Sequence, residues 1–481
     1  MSGELNRRDF LKTAIVGGAL CAGCAGPRGF MTQPTASKSG RAACLVSPGC
    51  RGTKVRVGKV YVAKPGGLWP TPKLSLQDEV RAYESDFARM KNDFADVEFV
   101  GNQLVTNVDE ARKAAAAMKD VDGILVIHLS MGVQPMLHEI LAVNRPTVLF
   151  AAPYSGHEWT GFGAMTREKP LLDCMLTADR DQLAAAVRPF RAMHHMREAK
   201  ILNITAKPWA ADLTKSYKER FGTEVVVISR ERALAAYESV PEALALAEAD
   251  RWWTGAMAVV EPDRDEVVRS CRLALAFEKL LDEEKATVIT ADCYRTMYHQ
   301  LPAFPCLGNV RLNNMGLGGI CESDPRCAMT HILMQGLVGR PGFISDPTVD
   351  ASQDSIILAH CLGTMKMDGP EGPTAPYKLR SIMERQEGCV PQVFMRPGER
   401  VTQAILVGTD RLQFFTGTIT AAPDLERGCR TKIIVRVDGS IDGLWRNWTS
   451  GLHRQTCYGD LRDDLRRFCK FQGITLIDEA A

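Results

Sequence analysis

An α/β fold, with two parallel-sheet units followed by a mostly antiparallel, barrel-like carboxy-terminal unit, is predicted by three features of this 481-residue chain. From Lys54 to about residue 345, short β-branched runs alternate with stretches that are apolar at helical spacing. That is the punctuation of βαβ units, and so of a parallel sheet with helices on both faces. After about residue 345 strands follow one another through loops rich in Gly, Pro and Asp, as in antiparallel sheet. The length exceeds one simple core and calls for two to four domains.

In order, the first unit (46–185) opens with the β-branched run Val55–Val62 and an amphipathic stretch at 76–94. Apolar strands at 97–100 and Gly123–His128 each have a helix close by, and a strand at 145–150 is opened by proline. The second unit (186–345) begins with the strands Lys200–Ile204 and 225–228. Helical stretches at 241–253 and Arg264–Glu284 lead to a strand at 287–290. The third unit (346–481) reads as strands at 355–358, 402–407, 414–419 and 432–437, then a helix at 458–471 and a strand at 475–477. No repeat of roughly 20–50 residues is present, which excludes a solenoid.

Composition narrows the function. Hydrophobic residues at 45% and charged residues at 24% are ordinary for a soluble globular protein. A net charge of +2 without an arginine-rich run excludes a general nucleic-acid surface. The fifteen cysteines show no paired framework, and no Cys-x-x-Cys follows the leader, so a zinc knuckle is not expected. These thiols are expected to be buried packing groups.

Residues 1–45 read as an export leader and linker. Asn6-Arg7-Arg8-Asp9-Phe10-Leu11-Lys12 resembles a twin-arginine signal, followed by a mild apolar run at 13–22. That run is shorter than the roughly 20 residues a membrane span needs. Cys21-Ala22-Gly23-Cys24 resembles a lipoprotein processing site, with Cys24 as the lipidated residue and the one expected link to a membrane. The expected location is the periplasm or a membrane-anchored lipoprotein. Export of a folded, reduced protein fits the lack of a disulfide pattern.

The chemistry centres on Met315-Gly-Leu-Gly-Gly-Ile-Cys-Glu-Ser-Asp324. If the segment is extended, Glu322 and Asp324 project from one face at a strand end, the place where open α/β sheets bind ligands. The bland alternative has one acid capping the next helix and the other solvated. His360 ends the apolar strand Ile357-Leu358-Ala359-His360, and His453 closes Asn447-Trp448-Thr449-Ser450-Gly451-Leu452-His453. Carboxylates with imidazoles suit a divalent ion such as Mn²⁺.

These residues carry a resemblance to the L-fucose and L-arabinose isomerase families. Cys321-Glu322-Ser323-Asp324, the helix behind it and Gly339-Arg340-Pro341 resemble the fucose isomerase metal-binding segment. Asn447-Trp448 followed by His453 is similar to the motif carrying another metal ligand. Asp122–His128 resembles an arabinose isomerase strand whose histidine reaches a neighbouring subunit's site, and 357–361 resembles a segment that supplies a metal-binding histidine. The resemblance implies two Rossmann-like domains, a barrel-like third domain and a homo-oligomer with sites between subunits. It also implies a metal-dependent aldose–ketose isomerase acting on a small-molecule sugar. Glu322 and Asp324 would be its catalytic carboxylates, Glu322, Asp324 and His453 its metal ligands, and His128, His360 and Trp448 its substrate contacts. One departure stands out: the upstream glutamate of fucose isomerases is missing, and the region reads Gln300-Leu301-Pro302-Ala303-Phe304-Pro305-Cys306. The alternative is an exported carbohydrate-binding protein, or a lyase or epimerase on the same fold. A thiol enzyme using Cys293, Cys306, Cys321, Cys327 or Cys361 is a third reading.

Replacing Arg7 and Arg8 together with lysine is expected to hold the protein in the cytoplasm. Cell fractionation checks this, and unchanged export of that variant would remove the leader assignment.

Overall fold

The computed structural model describes residues 53–481. The twin-arginine motif and Cys24 lie outside the described residues. Five parallel strands form the first sheet: β1 (Val55–Val62), β2 (Val97–Val105), β3 (Gly123–His128), β4 (Thr147–Ala151) and β5 (Leu172–Leu176), in the order β2-β1-β3-β4-β5. Successive residues of β3 serve opposite faces. Leu125 and Ile127 pack with Tyr83, Phe87 and Phe190, while Ile124 and Val126 pack with Ala114, Met136 and Leu137. Burial on both faces is why β3 is a continuous apolar run.

The second sheet is also parallel. It comprises β6 (Lys200–Ile204), β7 (Glu224–Ile228), β8 (Val288–Ala291) and β9 (Gly318–Ile320), in the order β7-β6-β8-β9. The helix Arg264–Glu284, capped by Asp263, lays Leu273, Phe277 and Leu280 against Leu202 and Ile289. The stretch read as one helix at 241–253 is preceded by a separate helix, Arg230–Glu238, whose N-cap is Ser229.

The third unit contains β10 (Phe343–Asp350), β11 (Ser355–His360), β12 (Tyr377–Arg380), β13 (Val390–Val393), β14 (Arg400–Val407), β15 (Arg411–Ala421), β16 (Thr431–Val437), β17 (Arg454–Tyr458) and β18 (Thr475–Asp478). Six of these run β14-β17-β10-β11-β16-β15, and β15 pairs back onto β14, closing an antiparallel barrel. β18 adds in parallel to the start of β15, and β12 and β13 form a separate hairpin. Closure removes the open sheet edges. Sequence reading missed β10, β12, β13 and β17. Pro347 and Pro391 interrupt β10 and β13, and β17 is the mostly polar run Arg-Gln-Thr-Cys-Tyr, all of it buried.

The boundary at 185/186 falls inside the helix Gln182–Glu198, and the one at 345/346 falls inside β10. Gln182–Glu198 packs its Leu183, Val187 and Phe190 into the first core. It also crosses the helix Pro325–Val338 so closely that a Cβ on Gly336 would lie 2.8 Å from the Ala192 Cα. Among the described residues no helix is long and apolar enough to cross a membrane.

A buried ion pair fixes the chain end. Arg454 on β17 pairs with Glu479, both side chains being fully buried, and its guanidinium also donates to the Ser450 carbonyl at 3.0 Å. Stranding one charge of such a pair costs about 3–5 kcal/mol. Glu479→Ala is therefore expected to lose about that much in a urea unfolding titration. Arg454→Met combined with Glu479→Leu should recover most of the loss, since no charge is then left unpaired.

Candidate functional site

The site begins where β9 ends. Gly319 must be glycine, because a Cβ there would lie 2.3 Å from the Asn309 Cα. Beyond Ile320 the chain does not stay extended. Glu322 and Ser323 take left-handed conformations, with φ of 58° and 54°. This corrects the expected strand-end geometry, in which alternation alone aligned Glu322 with Asp324. The turn is held from three sides. The Ser323 N–H donates to Thr290 Oγ1 at 3.0 Å, its hydroxyl donates to Asn203 Oδ1 at 2.8 Å, and Trp209 Nε1 donates to the Ser323 carbonyl at 2.8 Å. Left-handed backbone at non-glycine residues costs of order 1 kcal/mol or more, and those bonds over-determine it.

Asp324 serves two purposes. Its Oδ1 accepts the Cys327 N–H at 2.9 Å, capping the helix Pro325–Val338, as the bland reading held. Its Oδ2 lies 3.4 Å from His453 Nδ1. The other ring nitrogen, His453 Nε2, has Glu322 Oε2 at 3.7 Å and Asp346 Oδ1 at 3.3 Å. His360 stands beside them, its Nε2 3.9 Å from Glu322 Oε1 and its ring edge-on to His453 at 5.4 Å between centroids.

Barrel register explains the convergence. β17, β10 and β11 are neighbours, Ser345 pairs with Arg454, and Asp346 pairs with Ala359. Asp346 therefore sits between His453, which precedes β17, and His360, which ends β11. Donor atoms of Asp346, His360 and His453 all lie within 4.8 Å of one another, close enough to share one ion. Cys321, Glu322 and His360 satisfy the same condition.

The electrostatics are those of crowded anions. Burial raises the Glu322 carboxyl above the ordinary range; the charges of Asp346 and Glu384 add to that, while His453 and Arg295 oppose it. Burial likewise raises Asp346. Burial alone would lower His453, but its hydrogen bond to Asp324 and the charges of Glu322 and Asp346 carry it above its usual value. His360 is pushed down to about 3 by burial and by His453, so its ring is neutral at any physiological pH. Asp346 Oδ1 and His360 Nδ1 are buried without a hydrogen-bond partner.

The structure thus brings Glu322, Asp324, His360 and His453 together. Two other candidates lie elsewhere in the chain. His128, at the end of β3, bonds to Ser155 Oγ at 2.9 Å and to Glu158 at 2.7 Å, and lines a separate cavity with Trp69, Tyr154 and Trp159. Trp448 donates its indole N–H to the Gly451 carbonyl at 2.9 Å and stacks on the Arg454 guanidinium, supporting the turn that carries His453. Asp346 was missed. An Asp-Pro pair reads as a loop, and only the barrel register shows that it faces the histidines.

The chain is similar to sugar isomerases. It is 25% identical over 183 residues to a sulfoquinovose isomerase of Alkalicoccus urumqiensis, covering 36% of this chain and 41% of that protein. It is 24% identical over 230 residues to a sulfoquinovose isomerase of Clostridium sp. (strain MSTE9), covering 45% of this chain and 49% of that protein. The match thus spans less than half the length of these curated relatives. No family model matches the chain. The similarity supports the sugar isomerase relationship, but not the fucose or arabinose isomerases in particular.

The two roles of Asp324 separate by substitution. Asp324→Ala is expected to lose about 1 kcal/mol in equilibrium unfolding, while Asp324→Asn, an equally good cap, stays near the parent. Both should lower the His453 pKa in a histidine NMR titration, because both remove the anion facing Nδ1.

Proposed function

We propose that the protein is a metal-dependent aldose–ketose isomerase acting on a free sugar through an enediol. One observation carries the reading: Glu322 and Asp346 approach the same His453 nitrogen at 3.7 and 3.3 Å, with neutral His360 alongside. The donor set fits a divalent ion such as Mn²⁺, being carboxylate and imidazole with two buried polar atoms, Asp346 Oδ1 and His360 Nδ1, that lack hydrogen-bond partners. Glu322, Asp346, His360 and His453 would hold it, and the bound ion would polarise the sugar's carbonyl and hydroxyl oxygens. Asp324, already a helix cap, is assigned to orienting His453.

The rest falls to the chain's own side chains. Enediol chemistry needs a base that takes the proton from C2 and returns it to C1. A carboxylate at the reacting carbons can carry out that exchange. Glu322 and Asp346 both face the cluster, and both keep about a quarter of their side-chain surface open to a ligand. Asp346 thereby supplies the second carboxylate that the 300–306 region lacks. His360, uncharged and held at the end of β11, can accept a sugar hydroxyl or ligate without adding positive charge.

The isomerase reading is favoured over a lyase, an epimerase or a binding protein because both relatives carry isomerase names. Their name also puts sulfoquinovose first among the sugars to try. The homo-oligomer implied by the resemblance is kept, with His128 near a subunit boundary beside the exposed rings of Tyr154 and Trp159. Export by the leader is kept as well.

The experiment is a panel of aldoses, including sulfoquinovose, incubated with Mn²⁺-loaded protein and assayed for ketose. Glu322→Gln and Asp346→Asn are each expected to lower kcat by about 10²-fold or more. In thermal unfolding, Mn²⁺ at a hundredfold excess over its Kd should stabilise the parent by about 2.7 kcal/mol, and Asp346→Ala and His453→Ala should abolish that shift. No ketose from any aldose, together with no metal-dependent shift, would end this reading.

A further inference from the structure

The cysteines look scattered in sequence, but the fold gathers some of them. Cys361 follows His360 at the end of β11, Cys429 lies in the loop before β16, and Glu384 lies in the turn between β12 and β13. Cys361 Sγ donates to Glu384 Oε2 at 3.4 Å, and Cys429 Sγ donates to Glu384 Oε1 at 3.1 Å. The Tyr294 hydroxyl is 3.7 Å from Cys361 Sγ and 3.4 Å from the same carboxylate. One donor atom from each of Cys361, Glu384 and Cys429 falls within 4.8 Å of the others.

Ordinary packing does not account for this arrangement. A packing thiol sits among apolar neighbours, whereas here two thiols share one carboxylate. The cluster can also be reached: Cys361 is buried, but Cys429 is half-buried and Glu384 is exposed. We propose that Cys361, Cys429 and Glu384 bind one zinc ion, at a site separate from the carboxylate–imidazole cluster around His453. Two sulfurs and one oxygen are a donor set that selects a soft or borderline cation, and three protein ligands leave a fourth position for water. On binding, each thiol passes its proton to solvent as its sulfur–zinc bond forms, and Glu384 enters as the anion it already is. Nothing is oxidised or reduced. The ion would tie the end of β11 to two loops and so hold the wall beside His360. The hard-ion site proposed above shares no ligand with it, so either site can fail without the other.

Cobalt is the probe, because only thiolate ligation gives a strong near-ultraviolet sulfur-to-cobalt charge-transfer band. The fully reduced, full-length protein is titrated with Co²⁺ and then with Zn²⁺. The expected result is a band that saturates at one cobalt per chain and disappears as zinc displaces it. Cys361→Ser and Cys429→Ser should each lose the band, and Asp346→Ala should keep it. Should Cys361→Ser not fold, the half-buried Cys429→Ser carries the test. Absence of the band in the parent, or its persistence in Cys429→Ser, would overturn the proposal. So would thiols that close into a Cys361–Cys429 disulfide in air and bind no cobalt once reduced.

Discussion

Three carboxylates stand within 4 Å of one buried imidazole, and most of the architecture serves to hold them there. Like charges in a partly desolvated space repel strongly, so such a cluster persists only if a proton or cation is shared among its members. The protein pushes both ways on this balance. Burial raises Glu322 and Asp346, the surrounding anions raise His453, and His360 is kept neutral. That balance suits the proton exchange and the cation that the proposed enediol chemistry asks for.

Each anion is fixed by a different part of the fold. Glu322 depends on a left-handed turn locked by Thr290, Asn203 and Trp209, so it is tied to the second sheet. Asp324 is committed by its cap to the helix Pro325–Val338. Asp346 and the histidines depend on the register of three adjacent barrel strands. Behind His453, Trp448 stacks on Arg454, and Arg454 is buried against Glu479 near the carboxy terminus. The site therefore exists only when the second sheet and the barrel are both formed.

Much of the fold was legible in the sequence because its central parallel strands are buried and rich in β-branched and apolar residues. β3 is a nearly unbroken apolar run, and the ends of β1, β3 and β6 were read to the residue. The barrel was harder to read. Its strand β17 buries Arg454 and Gln455, and β10 carries half-buried Asp346 and Pro347, a polar pattern that residue types do not mark as strand. The same contrast runs through the site. Glu322, Asp324, His360 and His453 stood out because they end apolar strands or fall in recognisable motifs. Asp346 has no such signal, since its role comes from pairing with β11 and β17. The spacing argument for Glu322 and Asp324 failed for a backbone reason: two non-glycine residues with positive φ cannot be read from residue types alone. His128 and Trp448 were legible as notable residues, but the chain places neither in this cluster.

The central claim is that these carboxylates move a proton between adjacent carbons of a sugar. Proton NMR of an accepted aldose in D₂O, with Mn²⁺-loaded protein, tests it most directly. The account predicts ketose carrying deuterium at C1, formed with the parent and not with Glu322→Gln. Ketose formed without any solvent deuterium at C1, and as fast with Glu322→Gln as with the parent, would mean that hydrogen moves directly between the carbons, and would contradict the role given to Glu322 and Asp346.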